Sequence, residues 1–271
     1  MLRNRTKVYE NGTMNENLKF EMLSANIGQL TFSQPARRNA LSAAMWEALP
    51  NVLSQAAKTQ GLKVLIVTGD GDHFAAGADI SEFETLYATE DSAAKISAHI
   101  SAAMTALAEF PLPTLAMICG ACAGGGCALA LCCDIRFADN TAKFSVPPAR
   151  LGLVYPYPDI QRLIEAVGVA NAKDMIMSAR LVKADEAKNM GLINFLHTPD
   201  ELETAIISYA QSQAELSPHS LQTMKRLFNA YQAGQRGDNQ HTLDAFLGGF
   251  SSDDFKEGYS AFLEKRKPDF K

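Results

Sequence analysis

Three consecutive glycines, Gly124, Gly125 and Gly126, interrupt the apolar stretch ICGACAGGGCALALCCD at residues 118–134. Glycine loses more backbone freedom on folding than any other residue, so such a run is costly unless the backbone must come close to something. Two readings fit. The glycines set a pair of backbone N–H groups at a helix start, aimed at a developing negative charge. Alternatively, they let a strand and a helix pack tightly. Either way, a strand must run into a loop and then a helix here, and the rest of the chain has to build around that junction.

The chain has 271 residues, 47% of them hydrophobic, enough for one large domain or a domain with an appendage. Its net charge is −5 with no basic block, which argues against a nucleic-acid surface. Basic residues near the N-terminus are not followed by an apolar run, so no secretory signal is expected. No stretch of about 18 apolar residues occurs, so no membrane span is expected and the default is a cytoplasmic protein. All five cysteines fall between positions 119 and 133. Cys119 and Cys122 form a C-x-x-C pair, but no histidine is near to complete a metal set. Alternation with Ala and Gly favours free cysteines acting as small hydrophobes, with no metal and no disulfide framework.

Residues 1–17 are polar and read as a loose arm. Two strands are expected over 18–22 and 28–32, and a helix over 43–58, capped by Asn39 or Ser42 and kinked or broken at Pro50. KVLIVT at 63–68 reads as a buried strand. Ile96, Ile100, Met104 and Leu107 give one apolar face to a helix over 89–110. A second buried strand at 114–118 leads into the glycines. Short strands follow at 134–138 and 143–145, then helices over 161–167, 172–178 and 184–190, the last closed by Gly191. Beyond about residue 200 the chain is helix-rich, with Ser217-Pro218 opening one helix. The expected organisation is an arm over 1–17, an α/β core over 18–210 and a helical region over 211–271.

Two loops share a design. HFAAGADI at 73–80 and CAGGGCAL at 122–129 both follow a buried strand and precede a helix. If the two strands are neighbours, one N–H from each loop converges on a single oxygen, an oxyanion hole suited to an enolate or a tetrahedral anion. Competing glycine motifs are absent: there is no nucleotide P-loop, no dinucleotide fingerprint and no nucleophile elbow.

The ordered set QPARRNALS, VLIVTGDGDHFAAGADISEF, GACAGGGCALALCCDIRFAD, FSVPPARLGL, QRLIEAVG and EGYSAFLEKRKPDF resembles the enoyl-CoA hydratase/isomerase, or crotonase, superfamily over nearly the whole chain. The resemblance implies a spiral of repeated ββα units, a helical C-terminal trimerisation region, an acyl-CoA substrate and a homotrimer or hexamer. It implies no separate cofactor, because coenzyme A enters as part of the substrate. By position it makes Ala78 and Gly125 the oxyanion donors. It lays Ala76, Asp79 and Ile80 along the pantetheine and adenine, sets Arg38 and Ala40 near the adenosine end, and brings Phe262 and Lys265 to CoA from a neighbouring subunit.

The pattern departs from the family at two positions. Hydratases resemble one another in two glutamates that handle water and its proton. Here those places hold Ala128 and Pro148, neither of which can exchange a proton. Standard two-carboxylate hydration and the simple one-base isomerase are therefore not carried over. LGLVYPYPDIQRL instead brings Tyr155, Tyr157 and Asp159. A tyrosine stands at the corresponding place in the similar methylmalonyl-CoA decarboxylase branch. Tyr155 is therefore either a catalytic group of a decarboxylase or C–C lyase, or a packing aromatic. Asp159 is either a nearby acid or the cap of the next helix. His73 is read as an exposed turn residue. A non-catalytic acyl-CoA binder is the remaining alternative.

Overall fold

The computed structural model describes residues 6–7 and 15–271. The arm expected over 1–17 therefore lies largely outside the described residues. In chain order the elements are β1 (Thr6–Lys7), β2 (Leu18–Met22), β3 (Ile27–Phe32), α1 (Ala43–Ala57), β4 (Val64–Gly69), α2 (Phe83–Leu86) and α3 (Glu90–Ala108). Next come β5 (Thr114–Ile118), β6 (Ala121–Ala123), α4 (Gly125–Cys132), β7 (Ile135–Asp139), β8 (Lys143–Ser145) and α5 (Tyr157–Ser178). The chain continues through β9 (Val182–Lys183), α6 (Ala184–Asn189), β10 (Phe195–His197) and α7 (Pro199–Ala214), and closes with α8 (Pro218–Gln232), α9 (Gln240–Gly249) and α10 (Asp253–Glu264).

The chain builds two sheets at once. The larger has the order β1-β2-β3-β4-β5-β7-β10, antiparallel across β1, β2 and β3 and parallel from β3 onward. The smaller has the order β6-β8-β9. Each turn of the chain gives one segment to each sheet and then a helix. β5 is followed by β6 and α4, and β7 by β8 and α5. After β3 and β4 the second segment shrinks to single bridges, Leu41 with Ala78 and Ala75 with Cys122. These are the repeated ββα units. β4 is buried at all six positions, as expected of a parallel strand covered on both faces.

Two local readings are corrected and one alternative is settled. Helix α1 runs unbroken through Pro50, because Trp46, Leu49, Val52 and Leu53 are buried on either side of it and their packing outweighs the lost backbone bond. Ser42, not Asn39, caps it by accepting the Met45 N–H; the Asn39 amide instead binds the carbonyls of Asp70 and His73. His73 is half-buried, and its Nδ1 accepts the Ala121 N–H at 3.1 Å. The two helices expected over 161–178 are the two halves of α5, which breaks at Gly168 with a φ of 75°.

The C-terminal helices dock through a buried cation. Lys225 on α8 donates to Asp134 at 2.7 Å and to the Leu112 carbonyl at 3.0 Å, beside the start of β5. Helix α7 runs across residue 210 and packs on β4, β5 and β7. Among the described residues, no helix is long and apolar enough to cross a membrane.

Candidate active site

β4 and β5 are parallel neighbours, with Val67 opposite Ala116, so the loops that follow them leave the same edge of the sheet. The loops then run parallel. Ala75 N–H donates to the Ala121 carbonyl and Ala123 N–H to the Ala75 carbonyl, both at 3.0 Å. Ala78 and Gly125 lie equally far beyond the paired residues Ala75 and Cys122, which brings the two peptides side by side. A Cβ on Gly125 would stand 3.8 Å from the Ala78 nitrogen. Gly125 opens α4. Among the described residues neither N–H donates to a protein acceptor. A helix N-terminus adds positive potential at the same point.

Each glycine of the triplet has its own reason. Gly124 has a φ of 51°, which an L side chain rarely adopts. A Cβ on Gly125 would press on the Trp46 ring at 3.2 Å, and one on Gly126 would collide with the Ala75 carbonyl oxygen at 2.2 Å. Exposed donors and tight packing therefore coexist at neighbouring residues.

Ala78 and Gly125 line a cavity of about 510 Å³. Its walls are mainly apolar: Trp46 from α1, Phe83 from α2, Ile100 and Met104 from α3, Leu153 and Val154 from the loop before α5. Tyr155, Asp159 and Arg162 complete it. Pro148 lines the cavity too, whereas Ala128 is buried within α4.

Tyr155 is only 7% exposed, and its hydroxyl donates to the Gly124 carbonyl at 3.2 Å. That carbonyl belongs to the peptide unit whose N–H is Gly125's. Burial pushes the Tyr155 phenol well above its usual range. Asp159 does not cap α5, because the N-cap is Pro156. It turns inward from the first turn, 4% exposed, and accepts from Arg162 at 2.9 Å. Burial raises its carboxyl above the ordinary range, and Arg162 only partly offsets the rise. Tyr157 is exposed on the outer surface.

The residues expected to follow coenzyme A divide. Ala76 N–H donates to the Arg38 carbonyl, and Asp79 N–H to the Leu41 carbonyl, so the loop carrying Arg38 and Ala40 lies directly against the one carrying Ala76, Asp79 and Ile80. Arg38 and Ile80 are exposed beside the cavity mouth. Asp79 faces inward, bonded to Arg37 and Ser81. Burial pulls its carboxyl up, but these partners outweigh burial and hold it below the ordinary value. Phe262 and Lys265 sit at the far end of α10, exposed and outside the cavity.

Reasoning on the sequence missed Trp46 and Arg162. Trp46 carried no signal beyond helical periodicity. Arg162 did carry one: it follows Asp159 by three residues, which puts both on one face of a helix. Four of the five cysteines are buried in the core. Burial pushes Cys119 up to about 11 and Cys132 to about 12.

The comparisons with known proteins agree with this architecture. The family model for enoyl-CoA hydratase/isomerase matches residues 22–271. The chain is 36% identical over 248 residues to the 2,3-dehydroadipyl-CoA hydratase of Escherichia coli, covering 89% of this chain and 94% of that one. It is 32% identical over 267 residues to the crotonyl-CoA hydratase of Syntrophomonas wolfei, covering 97% and 98%. Among solved structures, an enoyl-CoA hydratase/isomerase family protein from Hyphomonas neptunium superposes with a TM-score of 0.90 at 41% identity, covering 94% of this chain and 97% of that one. The ββα spiral, the paired small-residue loops and a match over nearly the full length place this chain in the enoyl-CoA hydratase/isomerase family.

Proposed function

We propose that the protein binds an acyl-CoA thioester and stabilises its enolate between the Ala78 and Gly125 N–H groups. The observation that carries this reading is the pair of unengaged N–H groups, set side by side at a helix start on the wall of an apolar cavity. Such donors act where charge develops and need no reorganisation as it forms, and losing one costs about 10²–10³ in rate. Tyr155 belongs to this machinery through the Gly124 carbonyl. No separate cofactor is required.

The reaction begins from an enolate and does not use the usual glutamate pair, because Ala128 and Pro148 occupy those positions. Two starting points suit that. Removal of a proton next to the thioester carbonyl gives the enolate directly, and so does loss of CO2 from a 2-carboxyacyl thioester, the decarboxylase reading. Arg38, Ala40, Ala76 and Ile80 form the approach for the CoA moiety, with Asp79 holding the shape of that loop. Phe262 and Lys265 serve a neighbouring subunit of a homotrimer or hexamer, a reading supported by the exposed aromatic residues Phe228, Phe246, Phe250 and Phe262 on the C-terminal helices.

The test is a screen of crotonyl-CoA, a 3-enoyl-CoA and methylmalonyl-CoA by mass spectrometry, with wild type and Gly125→Pro. Proline is tolerated at the first helical position but has no N–H. Turnover of at least one thioester that disappears in the variant supports the reading. Unchanged turnover in Gly125→Pro overturns it. Tight thioester binding with no conversion identifies a binder instead.

A further inference from the structure

Among the described residues, Asp159 and Arg162 are the only charged side chains lining the cavity. They sit on the first two turns of α5, one helical turn apart, on the wall that also carries Pro148 and Tyr155. Asp159 is almost wholly buried, and only Oδ1 accepts from Arg162. No donor among the described residues engages Oδ2, and that oxygen is not sealed inside the protein. A buried carboxylate normally fills its hydrogen-bonding capacity. Here one oxygen is held by a cation and the other carries no donor among the described residues, on a residue that lines the cavity. A group placed only for stability would not be arranged so, because burying a charge costs more than the pair returns.

Resting on the enolate reading above, we propose that Asp159 is the proton-transferring carboxyl of this site, relocated from the two positions occupied by Ala128 and Pro148, and that Arg162 is its positioning residue. With a 3-enoyl thioester the step balances without any co-reactant. The Asp159 carboxylate takes a proton from C2. That C–H bond breaks, an O–H bond forms on Asp159, and the electron pair spreads over the dienolate, whose oxygen lies between the Ala78 and Gly125 N–H groups. Asp159 then returns the proton to C4, leaving the double bond between C2 and C3. One carboxyl serves both ends.

The titratable groups facing Asp159 are few. Arg162 on its own helix lowers its affinity for a proton, while Tyr155 from the preceding loop and Cys132 from α4 lie within electrostatic reach. The α2 and α3 walls present Tyr87 and no charged group. Burial dominates and holds the carboxyl above the ordinary range, which brings it closer to neutral pH, where a general base works best.

The experiment incubates the full chain with 3-hexenoyl-CoA near neutral pH. It follows conversion to 2-hexenoyl-CoA by the ultraviolet absorbance of the conjugated thioester and measures binding of hexanoyl-CoA by calorimetry. Wild type converts the substrate, and Asp159→Asn slows conversion by about a hundredfold or more with hexanoyl-CoA affinity unchanged. An Asp159→Asn rate within threefold of wild type overturns this assignment but leaves the oxyanion reading standing. Absence of conversion by wild type despite hexanoyl-CoA binding overturns this assignment, while the methylmalonyl-CoA arm of the screen above decides the oxyanion reading separately. Arg162→Gln supplies a second readout that does not depend on the Asn variant folding. Removing the cation raises the proton affinity of Asp159, so the rising limb of the rate–pH profile moves to higher pH. A limb that stays in place overturns the pairing of roles.

Discussion

The Tyr155 hydroxyl donates to the Gly124 carbonyl at 3.2 Å, and the N–H of that same peptide unit belongs to Gly125 and opens onto the cavity. The carbonyl also accepts the Ala128 N–H at 3.1 Å. A peptide bonded at its oxygen is a stronger donor at its nitrogen. In the proposed site, Tyr155 therefore fixes the orientation of the donor peptide and strengthens it.

Tyr155→Phe removes one hydrogen bond of about 1 kcal/mol and leaves the ring packing intact. The expected result is a kcat about five- to tenfold lower with KM nearly unchanged, measured on the thioester that the wild type converts. An unchanged kcat would reduce Tyr155 to a packing aromatic.

The three glycines should respond differently to alanine. Gly126→Ala drives a Cβ into the Ala75 carbonyl oxygen and costs at least about 3 kcal/mol or prevents folding. Gly124→Ala meets no atom within 4 Å, so its cost is the backbone strain at φ 51° and ψ −118° alone, about 1–3 kcal/mol and below that of Gly126→Ala. Urea denaturation of both variants checks the order, and equal losses would contradict it.

Asp159 offers a pH signature in stability. Its folded-state carboxyl is held above its unfolded value by burial. Its contribution is therefore fully present below about pH 4 and is lost as pH rises through the folded value. Asp159→Asn should melt at or above the wild-type temperature near neutral pH, and this advantage should shrink as pH falls toward 4. Scanning calorimetry across that range decides it; an advantage that grows on acidification would refute the sign.

Lys225 ties α8 to β5 through Asp134 and the Leu112 carbonyl. Lys225→Ala takes the cation from Asp134, which keeps only its Thr114 donors, and removes the lysine's bond to the Leu112 carbonyl, and a loss of about 2–3 kcal/mol is expected. Limited proteolysis should then cut first in the C-terminal helices. Cleavage confined to the core would place the weak point elsewhere.

Thiol reactivity should be low. Burial lifts Cys119, the most accessible of the five, to about 11, so near pH 8 only about one molecule in a thousand carries its thiolate. Alkylation of the native protein should be slow and begin at Cys119. Rapid labelling of Cys127 or Cys133 would show that the core around α4 opens readily.

Much of this architecture is legible in the chain alone, for a local reason. Strands such as β4 and β5 are continuous apolar runs, and α3 carries its apolar face at helical spacing, because each segment buries itself by its own periodicity. The pairing of the AAGAD and GGG loops is also visible as two strand–loop–helix junctions of the same make. Pro50 breaks the local helical pattern, and only the packing of Trp46 and Leu53 on either side of it holds α1 together.

What the sequence determines by itself is therefore the set of parts: an α/β body, two small-residue loops of the same make, and residues without a carboxyl at Ala128 and Pro148. Only the tertiary structure decides what those parts do to one another. The parallel register of β4 and β5 sets the two peptides side by side. The turn of the chain before α5 brings the Tyr155 hydroxyl to Gly124 and buries Asp159 on Arg162. The roles of Tyr155 and Asp159 depend on desolvation and on contacts between residues far apart in the chain, and neither is a property of local spacing.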